Sequence, residues 1–188
     1  MSKIFFTSDQ HFCHTNIIKF CDRPFETVEE MNQEMIRKWN EKISVEDEVY
    51  HLGDFALTKE RDKVLDIINQ LNGTIYLIAG NHEGAALNHR KKFKWVKDYH
   101  ELKVKDSDCK NGIQRIILFH YAMRVWRGDY RGNWQLYGHS HGNLPDEEHK
   151  LAIDVGVDCH DFYPLSYDEV KAIMKKKNWK PPFDNIEI

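Results

Sequence analysis

The sequence predicts an α/β fold, and two patterns carry that expectation. Up to Gly84, short apolar runs alternate with stretches of helical period. Strands that alternate with helices pair in parallel, because the crossover helices cover the sheet. After Gly84 the runs read mainly as strands, which predicts a second sheet packed on the first. No Pro/Gly/Ser linker, repeat or low-complexity tract interrupts the chain. Its 188 residues fall in the usual range of roughly 100–200 per domain, so residues 1–188 read as a single domain.

The elements follow in order. Residues 3–8 read as the first strand, residues 15–21 as a short helix and residues 27–42 as a longer one. Thr27-Val-Glu-Glu30 has the form of a capping box, and Val28, Met31, Met35, Ile36 and Trp39 form an apolar stripe. Residues 48–52 are strand-like. Residues 59–71 place Val64, Leu65, Ile67, Ile68 and Leu71 at helical spacing, and Asn72-Gly73 stops them. Residues 74–79 read as a buried strand. In the second half, residues 94–104, 113–120, 134–137 and 151–155 read as strands. Ser166-Tyr-Asp-Glu169 opens the last helix, which ends in the basic run at Lys175 to Lys177.

Composition bounds the function classes. With 41% hydrophobic and 30% charged residues, the chain has the makings of one ordinary core. A net charge of −3 argues against a general nucleic-acid coat and leaves only a local basic groove open. Cys13, Cys21, Cys109 and Cys159 form no CxxC pair, so they read as free thiols in a reducing compartment. No segment approaches the roughly 18 consecutive apolar residues of a membrane span, and the N-terminus does not read as a leader. The expectation is a cytoplasmic protein with no membrane partner.

The polar residues are placed unevenly. Five apolar runs each end in a candidate ligand: Asp9 and His11 after the first, Asp54 after Gly53, Asn81 and His82 after Gly80, His120, then His139 and His141 after Gly138. In open α/β sheets, ligands collect at the carboxyl ends of the strands. Singly, an Asp there is a turn former and a His a hydrogen-bonded surface residue. Jointly, five strand ends aim oxygen and nitrogen donors at one edge.

These blocks, Asp9-Gln-His11, Gly53-Asp54, Gly80-Asn-His-Glu83, His120 and Gly138-His-Ser-His141, stand in the order of the calcineurin-like metallophosphoesterase signature. The sequence therefore resembles that superfamily, and its opening FFTSDQHFCHTN resembles small stand-alone prokaryotic and phage members. The resemblance implies two stacked mixed β-sheets flanked by helices, a four-layer α-β-β-α sandwich. It implies two divalent metal ions, one held by Asp9, His11, Asp54 and His141, the other by Asp54, Asn81, His120 and His139. Asp54 would be shared. Such a mixture of donors suits manganese, iron, zinc or nickel better than magnesium alone, and manganese is the first expectation.

The implied activity is hydrolysis of phosphodiester or phosphomonoester bonds in small or nucleotide-like substrates by a metal-bridged hydroxide. His82 would be the general acid on the leaving group. Glu83 would brace that loop, or else serve as an acid at a helix N-terminus. His14, one turn past His11, is a candidate phosphate contact or a surface residue. Arg124, ahead of Arg127 and Arg131, is a candidate substrate contact, and Trp126 or Tyr130 a candidate base-stacking platform. The basic runs at residues 89–94 and 175–180 read as solvated faces. Asp154, Asp158, His160 and Asp161 resemble a metal cluster but match no signature position. Two other functions compete: a non-catalytic interaction scaffold, against which every ligand position is intact, and a nuclease acting on nucleic-acid ends, which would need a basic groove. The natural substrate and the oligomeric state are not legible.

Overall fold

The computed structural model describes residues 2–109 and 111–181. The first strand, β1 (Ile4–Thr7), leads through the short helix α1 (Ile17–Phe20) to α2 (Val28–Lys42), then β2 (Glu48–His51), α3 (Arg61–Gln70) and β3 (Thr74–Ile78). After the single turn α4 (Gly84–Leu87) come β4 (Val96–Lys97), β5 (Tyr99–Lys105), β6 (Ile113–Phe119), β7 (Trp134–Tyr137) and β8 (Ala152–Asp154). β9 (Leu165–Ser166) and α5 (Tyr167–Met174) follow. One sheet has the order β4-β3-β2-β1-β9 and the other β5-β6-β7-β8. The first is parallel except for β9, the second parallel except for β5, so both are mixed.

Side-chain alternation decides what each face covers. Phe5, Val49, Ile75 and Leu77 point to α2 and α3, where they pack against Met31, Met35, Trp39, Val64 and Ile68. Their neighbours Phe6, Tyr50 and Ile78 point the other way, onto Ile116, Leu118, Leu136 and Ile153 of the second sheet. The two sheets thus share one apolar interior. Val170 and Met174 of α5 join it. On the far side of the second sheet, the buried Gln135 donates to the Tyr121 carbonyl (2.9 Å) and accepts from the Met123 amide (3.1 Å), so the chain just after His120 is held there.

The helix caps form as the sequence predicts, with one change. Ser166 and Glu169 make a reciprocal capping box on α5. At α2 the Thr27 hydroxyl accepts from the Glu30 amide, but the Glu30 carboxylate takes the Glu26 amide rather than that of Thr27. Two strands differ from expectation. The run at 94–104 is divided: β4 pairs with β3, β5 pairs with β6, and the exposed Asp98 between them carries the chain from one sheet to the other. β9, only two residues long, adds an antiparallel edge to β1 and is too short to leave a periodic pattern.

Candidate metal centre

The loops after β1 and β2 are zipped together by backbone bonds. The Asp9 amide donates to the Gly53 carbonyl and the His11 amide to the Asp54 carbonyl, each at 3.0 Å. Inside this arrangement the backbone leaves its ordinary range. Asp9 (φ 62°), His11 (51°), Asp54 (56°), His139 (66°) and His141 (47°) all adopt the left-handed conformation. Each such non-glycine residue costs about 1–3 kcal/mol, and such residues gather where function requires an unusual side-chain direction. Two glycines allow the close approach. A Cβ on Gly80 would collide with the Asp54 carboxylate and amide, and one on Gly138 with the Ser8 hydroxyl and the Asp9 carboxylate.

These turns assemble two adjoining donor groups. Ligand atoms of Asp9, His11 and His141 lie within 4.8 Å of one another, and so do those of Asp54, His120 and His139. Asp54 sits between them: its Oδ2 is 3.5 Å from His11 Nε2 and 3.6 Å from His120 Nε2. Asn81 Oδ1 is 3.2 Å from His120 Nε2, which brings all seven predicted ligands to one place.

The donor chemistry fits cations. His120 Nδ1 donates to the Leu52 carbonyl at 2.7 Å, so Nε2 is the nitrogen that faces Asn81 Oδ1 and Asp54 Oδ2. A positive charge suits the space among these three atoms, whether a cation or the ring's own proton. Asp9 Oδ1 and both ring nitrogens of His11 are buried without a hydrogen-bond partner, a costly state unless something binds them.

The charges of the site agree. Burial raises the Asp9 carboxyl to about 7, against the opposing charges of His141 and His120. Burial lowers His11 to about 3, so its ring is neutral and able to ligate. Asp54 would also rise on burial, but the His120 ring and the His82 amide, which donates to Oδ1 at 2.7 Å, hold it at about 2. Burial likewise lowers His139, while His120 is raised because its bond to Asp54 and the carboxylate charges outweigh burial.

The remaining predicted residues divide. His82 belongs to neither donor group; its ring, half-buried, stands 5.6 Å from that of His11. Glu83 is buried, and its Oε1 accepts the Phe55 amide at 2.8 Å, tying the loop after β3 to the loop after β2. It makes no cap bond at α4. His14 is half-buried, its ring 5.3 Å from His11 and 6.4 Å from His82, with Nδ1 unpartnered. Arg124 is exposed and makes no hydrogen bond or ion pair among the described residues. Trp126 is buried and donates to the Asn133 carbonyl, Arg127 pairs with Glu101, and Arg131 stacks on Tyr130.

Four residues near the centre went unread in the sequence. Asp158 accepts from His141 Nδ1 at 2.7 Å and from Arg23, and Arg23 also holds the Asp9 and Gln10 carbonyls. The buried His51, lowered to about 3 by burial, accepts the Gly53 amide and pairs with Gln10. Tyr121 packs against the rings of His120 and His139. Only Asp158 left a trace, as part of the acidic cluster at 154–161.

The fold and the site define a two-sheet α/β protein with a candidate two-metal centre at the carboxyl ends of its strands. The chain belongs to the calcineurin-like phosphoesterase superfamily, whose domain matches residues 3–157. It is 35% identical over 182 residues to an uncharacterized protein of Methanocaldococcus jannaschii, covering 94% of this chain and 93% of that one. It is also 26% identical over 183 residues to the gene 66 protein of Mycobacterium phage L5, covering 85% of this chain and 88% of the relative. A protein of unknown function from Aquifex aeolicus, known from its crystal structure, shares the fold with a TM-score of 0.70 at 23% identity, over 92% of this chain and 100% of that one. Members of this superfamily depend on metal ions, so membership supports metal-dependent phosphoester hydrolysis as the general activity. Among the described residues no helix is long and apolar enough to cross a membrane.

Proposed function

We propose that the protein is a two-metal phosphoesterase whose substrates are small or nucleotide-like phosphodiesters, with phosphomonoesters second. The observation that carries this reading is the pair of adjoining donor groups with Asp54 between them. Asp9, His11, Asp54 and His141 would hold one cation, and Asp54, Asn81, His120 and His139 the other. Manganese is the first candidate, with iron, zinc or nickel as alternatives. When bound, two such cations neutralise phosphoryl oxygens and bring an attacking water into range at neutral pH.

The protein's own groups do the rest. Asp54 is fixed by the His82 amide, so its second oxygen stays aimed at the imidazoles. The His82 ring, outside both donor groups and half-buried, is free to give a proton to the departing alkoxide. His14, beside His11 and His82, is placed to meet a phosphate oxygen or the leaving group. Glu83 holds the His82 loop against Phe55.

Charge favours diesters. Arg23, which touches the Asp9 loop, is committed to Asp158 and backbone carbonyls. The guanidinium tied to the ligand loop therefore has no bond to spare for the second negative charge of a monoester, which puts diesters first. A protein stripped with chelator and reloaded with Mn, Ni, Zn or Mg should cleave bis-p-nitrophenyl phosphate faster than p-nitrophenyl phosphate, and lose that activity in His82→Ala. Tight binding of metal with no ester cleaved would point instead to a scaffold, and preferred cleavage of oligonucleotides to a nuclease.

A further inference from the structure

The ring nitrogens of His120 and His141 that face away from the centre are held differently. His120 Nδ1 donates to a neutral backbone carbonyl, that of Leu52. His141 Nδ1 instead donates to the Asp158 carboxylate at 2.7 Å. Asp158 is itself gripped from the other side: Arg23 Nε reaches Oδ1 at 2.7 Å and Nη2 reaches Oδ2 at 2.8 Å. Two further guanidinium bonds go to the loop that carries the first ligands, Nη1 to the Gln10 carbonyl (2.9 Å) and Nη2 to the Asp9 carbonyl (2.7 Å), and Nη1 also meets Met31 Sδ at 3.4 Å. The Arg23 side chain has no solvent exposure at all. Asp158 lies just past residue 157, where the match to the superfamily domain ends.

We propose that Asp158, locked by Arg23, is a positioning residue that fixes the His141 imidazole for its cation and makes the two halves of the centre unequal. This rests on the two-metal reading above.

The chemistry is that of a carboxylate behind a ligating histidine. A guanidinium can only donate, so Asp158 is an acceptor toward both neighbours. The His141 proton is thereby pinned on Nδ1, and the Nε2 lone pair is left facing Asp9 and His11. A carboxylate behind the ring makes it a stronger donor than a carbonyl does, and such outer partners typically carry about 10- to 100-fold in metal affinity. Arg23 has a second effect. Asp158 and His141 stand close enough, together with Cys21, to form a donor group of their own. The guanidinium occupies both carboxylate oxygens and so keeps Asp158 behind the ligand. Because the same guanidinium holds the Asp9 and Gln10 carbonyls, a single side chain sets the relation between the Asp9–His11 loop and His141.

The test is a titration of Zn²⁺ and Mn²⁺ against a chromophoric chelator, with wild type, Asp158→Asn and Asp158→Ala compared below their melting temperatures. Asp158→Ala should weaken one of the two bound ions by about 10- to 100-fold and leave the other nearly unchanged. Asp158→Asn, which keeps the shape and one acceptor oxygen, should fall between. A ¹⁵N-edited spectrum should show a slowly exchanging His141 Nδ1 proton in wild type that is lost in Asp158→Ala, which mere loss of packing would not explain. If Asp158→Ala does not fold, the Arg23→Met/Asp158→Leu pair, which leaves no buried charge unpaired, should show the same selective loss. Two ions held with wild-type affinity in a folded variant, or both weakened equally, would overturn the proposal. A wild type that binds no ion overturns it together with the two-metal reading, whereas one that binds two ions and cleaves no ester overturns only the assigned activity.

Discussion

Around Asp9, His11 and His141 the protein is closed, with Arg23 and Asp158 packed behind the ligands and both Asp9 and His11 buried. Around His120 and His139 it is open: His120 is buried against the Leu52 carbonyl, but His139 and Asn81 face solvent. Both halves offer two imidazoles and share Asp54, but one adds the Asp9 carboxylate and the other the Asn81 amide oxygen. What stands behind the donors differs as well, and on the proposed two-metal reading the closed half would retain its ion while the open half would exchange its ion and admit substrate. Asp54 belongs to both, so the sharpest tests act on it or on one half alone.

The largest effect is expected from Asp54→Ala. Removing the shared carboxylate should abolish binding of both ions and lower metal-dependent kcat/KM at least on the order of 10³-fold, or about 4 kcal/mol. Retention of two ions by this variant, measured by elemental analysis, would break the comparison at its centre.

His82→Ala should come next, with kcat lower by about 10²- to 10⁴-fold on substrates with alkoxide leaving groups. The loss should be smaller for p-nitrophenolate, which leaves without a proton, and the ion count should stay at its wild-type value. Equal losses on both kinds of leaving group would remove the general-acid role.

Acidity acts on both halves. Burial raises Asp9 to about 7, and its surroundings raise His120 and His141 as well, so protons compete with cations at these donors. Metal affinity should therefore fall as pH drops through about 7, with proton release on binding visible by calorimetry in buffers of different ionisation enthalpy. An affinity flat between pH 6 and 8 would contradict this.

Glu83 gives a stability effect of on the order of 1–3 kcal/mol. Burial raises its carboxyl from its ordinary 4.5 to about 7 in the folded chain. A raised folded pKa means stability that is present below the unfolded value and lost as pH rises through the folded one. Glu83→Gln keeps an acceptor for the Phe55 amide and removes that loss. The metal-free variant should melt higher than wild type at pH 8 and about equally at pH 4. The smallest effect is expected at Arg124, where Ala should change neither turnover nor melting beyond about 0.5 kcal/mol, because an exposed side chain without partners has little to lose.

Much of this was legible in the chain itself. The strand ends, the capping pairs and the stripe on α2 are local patterns, and Asp9, His11, Asp54, Asn81, His120, His139 and His141 each follow an apolar run that the fold turns toward one edge. Three features were not. The break at Asp98 is hidden because a single residue, with no Gly or Pro beside it, separates β4 from β5 while the pairing partner changes. The bond from Arg23 to Asp158 joins positions 135 apart, and Cys21-Asp-Arg-Pro24 has the look of an ordinary turn. The acidic cluster showed its composition but not which member faces inward: Asp158 reaches His141, while Asp154 caps the Gly142 and Gly156 amides and Asp161 pairs with Lys38.

The most direct test of a two-metal centre at the strand ends is a crystal of the protein grown with Mn²⁺ and measured near the manganese absorption edge. The account predicts two anomalous peaks on either side of Asp54 Oδ2, one among Asp9, His11 and His141 and the other among Asn81, His120 and His139. A single peak, or none at these residues in crystals that hold manganese elsewhere, would contradict it.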